Sequence, residues 1–173
     1  MPALSKKVCL LGDFAVGKTS LVRRFVYDYF DDQYLSTIGV KVSRKTINIA
    51  QGEHIVELTM MLWDLAGSEE FTHLRASYLR GAAGVLLVGD LTRPQTFDAL
   101  PRYVADVDQV GPHPPLMLAA NKIDLLGDNS SERPVLSQAQ GIAQMLAAPL
   151  YLTSALTGDE VEKIFRHLGR MIL

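Results

Sequence analysis

The sequence predicts an α/β fold: a six-stranded, mostly parallel, doubly wound sheet with one antiparallel edge strand and helices on both faces. Three observations lead to this prediction. Strand-like and helix-like stretches alternate along the chain, which is typical of parallel sheets. The runs at 83–90 and Leu116–Asn121 are continuously apolar, as in strands covered on both faces. The runs at 40–49 and 55–64 are joined by a short turn, so they form a hairpin that supplies the antiparallel edge.

The predicted elements alternate in the same way from one end of the chain to the other. The strand at 55–64 has the period-two alternation of a half-buried strand, and Ser137 is the expected N-cap of a later helix. In chain order we predict a strand at 6–11, a helix at Lys18–Tyr27, the hairpin, a strand at 83–90, a helix at 95–110, a strand at Leu116–Asn121, a helix at 137–147, a strand at Leu150–Thr153 and a helix at 158–173.

The composition is that of an ordinary globular chain. Its 173 residues fit one domain, 1–173, with 48% hydrophobic and 21% charged residues. The net charge of −2 provides no chain-wide basic field, so we expect no nucleic-acid partner. No apolar run is long enough for a signal peptide or a membrane span, and the lone Cys9 agrees with a reducing compartment. We therefore expect a cytoplasmic protein.

The stretch GDFAVGKT, residues 12–19, matches the pattern G-x-x-x-x-G-K-[ST] between a predicted strand and a predicted helix. Its glycines would let backbone N–H groups wrap around phosphate, and the N-terminus of the helix adds positive potential. Lys18 is expected to reach the β- and γ-phosphates, and the Thr19 hydroxyl is expected to ligate Mg²⁺. The alternative is a glycine loop that serves only as a turn.

The stretch WDLAG, residues 63–67, ends another strand at the same edge of the predicted sheet. Asp64 stands where a carboxylate beside a phosphate loop would hold Mg²⁺ through water, because Mg²⁺ keeps several of its waters. Gly67 could bring its N–H against a terminal phosphate. The pattern is weak alone, since acidic residues often end strands, but it is strong beside the glycine loop.

The stretch NKID, residues 121–124, follows a third buried strand. Asp124 can accept two N–H donors from the edge of guanine, a pair that adenine lacks, and such pairing discriminates strongly between bases. Lys122 can lie along the base, and Asn121 can tie this loop to the phosphate loop. After the next strand, Ser154 and Ala155 could offer a backbone N–H to the guanine oxygen. A helix-capping loop is the alternative.

Together these segments resemble the Ras superfamily of small GTPases, and the Rab branch most of all. The resemblance covers essentially the whole chain. It implies a small G-domain fold and a monomeric switch that binds GTP or GDP with Mg²⁺ and hydrolyses GTP. The matching segments are GDFAVGKTSLVRRF, YLSTIGV, LWDLAGSEEF, SYLRGAAGVLLVGDLT, LAANKIDLL and LTSALTGDEVEKIF.

The resemblance also implies individual roles. Thr37 would ligate Mg²⁺ and the γ-phosphate, and with Gly67 it would order two switch segments, 31–40 and 66–74, while GTP is bound. Phe30 would stack on guanine, and Tyr34 would close over the phosphates. The implied metal ligands are Thr19, Thr37 and Asp64, and the implied catalytic residues are Lys18, Thr37, Gly67 and Ser68. The implied nucleotide-binding residues are Asp13, Phe14, Ala15, Val16, Gly17, Lys18, Thr19, Ser20, Phe30, Tyr34, Thr37, Gly67, Asn121, Lys122, Asp124, Ser154, Ala155 and Leu156.

Three positions in the nucleotide site depart from the family pattern. Ser68 stands where the family carries a glutamine that orients the attacking water, and serine is too short to replace it. Phe14 stands where a small residue is usual and would crowd the catalytic space, unless it points away from the phosphates. Leu156 replaces a common lysine, which would loosen stacking on the base. The first two departures predict slow GTP hydrolysis with intact nucleotide binding.

Two further functions stay open beside the switch. One is a GTP-loaded binding or adaptor module with negligible hydrolysis, which the two departures beside the γ-phosphate favour. The other is an ATP-using P-loop kinase, which Asp124 and the lack of an evident lid over an acceptor substrate disfavour. Arg75 is a minor candidate for an arginine supplied to the phosphates from within the chain.

Partners are expected to dock on the two switch regions. An effector, an exchange factor and an activating protein would contact residues 31–40 and 66–78. Trp63 and Tyr78 belong either to this surface or to half-buried packing, and Val42 replaces an aromatic residue that is usual in Rab proteins. The sequence ends in RHLGRMIL without a terminal cysteine for a prenyl group, so we expect either a trimmed chain or a protein without a lipid anchor.

Overall fold

The structure is a computed structural model that describes residues 3–33, 37–67, 72–127 and 133–173. None of the helices in these ranges is both long and apolar enough to cross a bilayer. The elements in chain order are β1 (Leu4–Leu11), α1 (Lys18–Tyr27), β2 (Val40–Gln51), β3 (His54–Leu65), α2 (Thr72–Leu79), β4 (Gly84–Asp90), α3 (Gln95–Asp98), α4 (Leu100–Val110), β5 (Leu116–Asn121), a 3₁₀ turn (Ile123–Leu125), α5 (Arg133–Met145), β6 (Leu150–Thr153) and α6 (Val161–Met171).

The described strands form one six-stranded sheet in the order β2-β3-β1-β4-β5-β6. Five strands run parallel, and β2 pairs antiparallel with β3 at one edge, from Val40 opposite Leu65 to Gln51 opposite His54. The central strands β4 and β5 are buried along their whole length, as their continuous apolar runs require. The predicted α/β fold with one antiparallel edge strand is therefore confirmed.

Helices cover both faces of this sheet and close two apolar cores. On one face α1 and α6 pack together, with the rings of Phe25 and Phe165 stacked at 4.2 Å between centroids. On the other face α3 and α4 bury Phe97 and Leu100 completely. Burying each such side chain contributes about 1.5–3 kcal/mol. The two cores hold the strands in place, so the loops at their carboxyl ends start from fixed points.

Several helix boundaries differ from the prediction, and two prolines explain most of the differences. The helix predicted at 95–110 is interrupted at Ala99, because Pro101 occupies the first turn of a new helix, where its missing N–H costs nothing. Likewise Pro134 stands in the first turn of α5, which begins at Arg133. The prediction of Ser137 as an N-cap is therefore wrong, because Ser137 lies inside α5.

Two short elements were not predicted, and the last helix begins later than expected. The helix α2 begins inside the switch segment predicted at 66–74 and continues beyond it to Leu79, and the 3₁₀ turn follows β5 closely. The last helix begins at Val161 rather than at 158, because Gly158 and Glu160 adopt left-handed backbone conformations with φ of 86° and 60°. A right-handed helix cannot include such residues.

Candidate functional site

A cavity of about 320 Å³ opens at the carboxyl ends of β1, β3 and β5. Parallel sheets place ligand sites at this edge, because the loops after successive strands meet there. Its lining comes from the glycine loop, from the segments after α1 and β3, and from the loops after β5 and β6. The lining residues are Phe14, Ala15, Gly17, Lys18, Thr19, Ser20, Arg23, Phe30, Asp31, Asp32, Gln33, Thr37, Gly67, Asn121, Lys122, Asp124, Leu125, Ala155 and Leu156.

Every backbone carbonyl of the glycine loop, residues 12–17, accepts a hydrogen bond. In a trans peptide the C=O and the following N–H point in opposite directions, so a loop whose carbonyls are bonded to the protein turns its N–H groups the other way. The donors are Lys18 Nζ to Gly12 and Asp13 over 2.8 and 3.2 Å, Arg93 Nη2 to Phe14 over 2.7 Å, Lys122 Nζ to Ala15 over 2.9 Å, Asn121 Nδ2 to Val16 over 3.0 Å and the Leu21 amide to Gly17 over 2.9 Å.

Gly17 connects this loop to α1 and needs to be glycine. Its φ is 104°, in the left-handed region, and an added Cβ would lie 2.3 Å from Asn121 Nδ2. A side chain at this position would strain the backbone and displace the amide that bonds Val16. The glycine therefore allows the loops after β1 and β5 to touch.

Lys18, the first residue of α1, is buried at the floor of the cavity. Burial lowers the pKa of Lys18 to about 8, and the carboxylates of Asp64 and Asp13 act in the opposite direction. Its ammonium group bonds only two carbonyls among the described residues, so the structure holds a buried cation that an anionic ligand would stabilise.

Three oxygen-bearing side chains meet beside Lys18. The hydroxyl oxygens of Thr19 and Thr37 lie 2.7 Å apart, and the Thr19 hydroxyl also donates a short hydrogen bond to Asp64 Oδ2. Asp64 is 1% exposed, and its Oδ1 is buried with no hydrogen-bond partner in the described part of the chain. Burial raises the pKa of Asp64, and the Thr19 bond and Lys18 oppose that shift. A cation near these oxygens would lower the cost of keeping this carboxylate charged.

The loops after β5 and β6 form the other end of the cavity. Ser154 Oγ donates to Asp124 Oδ1 over 2.7 Å and so orients the carboxylate. Arg24, on α1, clamps the loop after β6 by donating to the carbonyls of Ala155 and Leu156 over 2.9 and 2.7 Å. The apolar side chains of Phe30 and Leu156 line the same end. This end therefore combines a fixed acceptor with apolar surface.

Gly67 packs directly against the backbone of the glycine loop. An added Cβ would lie 2.6 Å from Gly12 O, from the Asp13 carbonyl carbon and from Phe14 N. No side chain fits in that space. Phe14 is 47% exposed and is among the residues that line the cavity, and its backbone N is one of the atoms that close the space around Gly67.

Most of the predicted site residues line this cavity, and several do not. Val16 and Ser154 are fully buried behind the lining, while Asp13 accepts a hydrogen bond from the Tyr103 hydroxyl over 2.8 Å. Their contributions to the cavity are therefore indirect. Tyr34 and Ser68 lie outside the described residues.

Some lining residues were not among the predicted nucleotide-binding residues. Arg23 follows Thr19 by four residues on α1, so helical periodicity would have placed it on the same face. Leu125 simply follows Asp124 in the loop. Asp31, Asp32 and Gln33 carry no motif that separates them from ordinary loop residues.

Arg75 contacts two side chains of α4. Its guanidinium lies 4.5 Å above the ring of Tyr103, and Nη1 pairs with Asp106 Oδ2 at 3.1 Å. The side chain is 5% exposed. These contacts make Arg75 a buried link between α2 and α4, and they do not support its assignment as an arginine that reaches the phosphates.

Comparison with known proteins agrees with this geometry. A sequence model of the Ras family matches residues 7–173. The chain is 37% identical to Ras-related protein Rab-31 of Rattus norvegicus over 167 residues, which cover 96% of this chain and 82% of that protein. It is 36% identical to Ras-related protein Rab-22A of Homo sapiens over 168 residues, with the same coverage. It is 34% identical to Ras-related protein SEC4 of Saccharomyces cerevisiae over 167 residues, 96% of this chain and 74% of that protein. The chain therefore belongs to the Ras family, as a Rab-like small GTPase that binds and hydrolyses GTP.

Proposed function

We propose that this GTPase is a Mg²⁺-dependent guanine-nucleotide switch that hydrolyses GTP slowly. The observation that carries the proposal is the single cavity that joins the glycine loop at one end to Asp124 at the other. The loop end offers backbone N–H donors and a buried ammonium group, which suit phosphate. The Asp124 end offers a carboxylate acceptor beside apolar surface, which suits a base with two N–H donors.

At the phosphate end, Lys18 is proposed to bind the β- and γ-phosphates. Its carbonyl partners, Gly12 and Asp13, hold Nζ in place without neutralising its charge. Phosphate oxygens would supply the missing negative charge, which explains why the chain tolerates a buried lysine there. The N-terminus of α1 adds its partial positive charge at the same point.

Thr19, Thr37 and Asp64 fit a Mg²⁺ ion. The two hydroxyl oxygens lie 2.7 Å apart, and Asp64 has a buried oxygen with no hydrogen-bond partner in the described ranges. Hydroxyl and carboxylate oxygens are the donors that Mg²⁺ prefers. When bound, Mg²⁺ neutralises charge on the phosphate oxygens. The chain contributes the positions of the two hydroxyls, with Asp64 fixed behind Thr19.

At the base end, Asp124 is proposed to accept the two N–H donors of guanine. The bond from Ser154 occupies one side of the carboxylate and leaves the rest to the base. Ala155 would present its N–H to the guanine oxygen, while Phe30 and Leu156 would pack against the faces of the ring. Arg24 supports this arrangement because it holds the loop that carries Ala155.

Slow hydrolysis is inferred from Phe14 and Ser68. Phe14 lines the cavity beside Gly67, where an attacking water or an inserted arginine would need room. Ser68 cannot reach as far as the glutamine of the family pattern. Phosphoryl transfer in this family depends almost entirely on positioning and electrostatics, so the loss of a positioned water lowers the rate strongly.

A second candidate is a GTP-loaded binding module that hydrolyses nothing on a useful timescale. The position of Phe14 in the cavity lining favours it, because an aromatic ring directed toward the phosphates would hinder an activating protein. In either case, partners are proposed to dock on 31–40 and 66–78. Next to these ranges, Val42 is 45% exposed, and the rings of Trp63 and Tyr78 lie 6.2 Å apart between centroids. A cytoplasmic location is part of the proposal.

Single-turnover hydrolysis of pre-bound GTP tests the proposal and separates the two candidates. Release of phosphate over hours at saturating Mg²⁺ would support a slow switch, and release that stays at the rate of free GTP would favour the binding module. GDP dissociation measured with Mg²⁺ and again with excess EDTA tests the metal site. We expect dissociation at least tenfold faster in EDTA. Equal rates, or tighter binding of ATP than GTP, would contradict the proposal.

A further inference from the structure

The carboxylate of Asp90, the last residue of β4, is fully buried and pairs with two cations. Lys122 Nζ lies 2.7 Å and Arg93 Nε lies 3.0 Å from its Oδ2. Its other oxygen, Oδ1, accepts hydrogen bonds from the amide and the hydroxyl of Thr92 over 2.8 and 2.7 Å. All of these bonds come from loops at the cavity edge of the sheet, so Asp90 forms a fixed junction there.

Each of the two cations also reaches the glycine loop. Lys122 Nζ donates to the carbonyl of Ala15 over 2.9 Å, and Arg93 Nη2 donates to the carbonyl of Phe14 over 2.7 Å. The junction at Asp90 therefore holds two consecutive peptide groups of the loop. Two cations on one carboxylate also leave one net positive charge beside the loop.

The residue between these two peptide groups is strained. Ala15 has a φ of 63°, in the left-handed region that residues with a Cβ adopt at a cost, and such conformations persist only where the surroundings enforce them. The carbonyl bond before Ala15 comes from Arg93, and the one after it comes from Lys122. Because each peptide is planar, these bonds set the directions of the Ala15 and Val16 N–H groups as well.

We infer that Arg93 is a positioning residue for phosphate binding, which orients the peptide between Phe14 and Ala15 so that the Ala15 N–H faces the phosphates of a guanine nucleotide. Arg93 lies outside the G-x-x-x-x-G-K-[ST] pattern and does not line the cavity among the described residues. It acts through the peptide group alone. The inference rests on the proposed nucleotide binding.

The same bond fixes the backbone of Phe14. With its carbonyl held by Arg93, this residue cannot rotate its peptide freely. Asp90 holds Arg93 in position for its bond to the Phe14 carbonyl. Burial raises the pKa of Asp90, but the hydrogen bonds from Lys122, Thr92 and Arg93 outweigh this effect and keep that pKa below its usual value. The carboxylate therefore stays charged at neutral pH and keeps Arg93 in place.

The test compares R93A and R93K with the matched control R102A in the full chain. Arg102 is exposed on α4, and its removal changes the net charge by the same amount as the removal of Arg93. Dissociation of a fluorescent GDP analogue is measured for each protein, together with the ³¹P spectrum of bound GDP. We expect R93A to release GDP about tenfold faster and to shift the β-phosphorus resonance. R93K, which can bond either Asp90 or Phe14 but not both well, should fall between R93A and the unchanged chain.

R102A should match the unchanged chain in both measurements. The inference is overturned if R93A releases GDP at the rate of R102A, or if R93A lowers thermal stability without changing the release rate or the ³¹P spectrum. If R93A does not fold, R93K decides in the same way against R102A. Failure of the unchanged chain to bind GDP would overturn the proposed function. Equal GDP release by R93A and R102A would overturn only the positioning role of Arg93.

Discussion

Asn121 Nδ2 lies 3.0 Å from the carbonyl oxygen of Val16, although 105 residues separate the two along the chain. The same side chain accepts a hydrogen bond from Thr153 Oγ1 over 3.1 Å. Asn121 thereby joins the loops after β1, β5 and β6 at one buried point. The phosphate and base ends of the cavity are tied together by this side chain.

Replacement of Asn121 by alanine should weaken both the fold and nucleotide binding. The Val16 carbonyl and the Thr153 hydroxyl would be left buried without this partner, which costs about 1–3 kcal/mol each. We expect GDP to dissociate at least tenfold faster and the free energy of unfolding in urea to fall. Gln138→Ala, which removes surface bonds to Pro94 and Asp98, is the control. An unchanged dissociation rate in N121A would contradict the proposed link.

Replacement of Asp124 by asparagine should change base preference more than stability. An amide offers one acceptor and one donor group where the carboxylate offers acceptors only, so guanine loses a partner while xanthine gains one. We expect the affinity ratio of GDP to xanthosine diphosphate to fall by a factor of about 100 or more. Competition binding measures this ratio. The control is D159N, an exposed acid on the neighbouring loop, and an unchanged ratio in D124N would place the base elsewhere.

Phe14 and Ser68 should interact in GTP hydrolysis. Ser68→Gln alone is expected to accelerate single-turnover hydrolysis little, because we propose that the Phe14 ring takes the space that the longer side chain needs. With Phe14→Gly, the same change should accelerate it by an additional factor of about ten or more. A double-mutant cycle measures the coupling. Purely additive effects would mean that Phe14 does not obstruct a side chain at position 68.

Gly67→Ala should disturb the site far more than an equal change elsewhere. The added methyl group would meet three backbone atoms of the glycine loop at 2.6 Å, and neither segment can yield without moving the backbone. We expect a loss of about 1–3 kcal/mol in unfolding free energy or a displaced 66–67 segment with slower GTP hydrolysis. Gly111→Ala is the control, because an added Cβ there meets nothing within 4 Å. Equal behaviour of the two variants would contradict the close approach.

Cys9 should make stability fall at alkaline pH. Burial raises the pKa of Cys9 to about 12, while the unfolded thiol titrates near its ordinary value of 9.0. Between these pH values the native state holds a proton that the unfolded state has lost, so unfolding becomes easier by at most about 1.4 kcal/mol for each pH unit. Below pH 9 the thiol is protonated in both states, so it does not lower the free energy of unfolding there. Urea unfolding of the chain and of C9A from pH 8 to 11 should diverge, and parallel profiles would contradict the prediction.

The sequence was sufficient for those parts of the fold and site that depend on local pattern. The helix Lys18–Tyr27 was predicted with its observed bounds, because it begins inside the glycine motif. The presence of Lys18, Thr19 and Asp124 in the cavity lining was also predictable, because each belongs to a short motif that follows a strand. Prolines misled the prediction only where Pro101 and Pro134 start helices and do not simply interrupt a loop.

The supporting contacts were not predictable, because they join residues far apart in sequence that belong to no motif. Arg93 bonds Phe14 across 79 residues, and Arg24 bonds Ala155 across 131. Nothing in the composition of either neighbourhood distinguishes these arginines from solvated ones. The direction of the Phe14 side chain is likewise not set by local sequence, since it depends on which loops pack around the cavity.

The strand β2 has a consequence for how the protein behaves in a crowded solution. It is the outermost strand of the sheet, so one side of its twelve-residue backbone has no neighbouring strand among the described ranges. Three basic side chains, Lys41, Arg44 and Lys45, lie along it. Like charges on such an edge repel a second copy that approaches to extend the sheet. The basic side chains on the edge strand β2 therefore oppose aggregation through strand pairing.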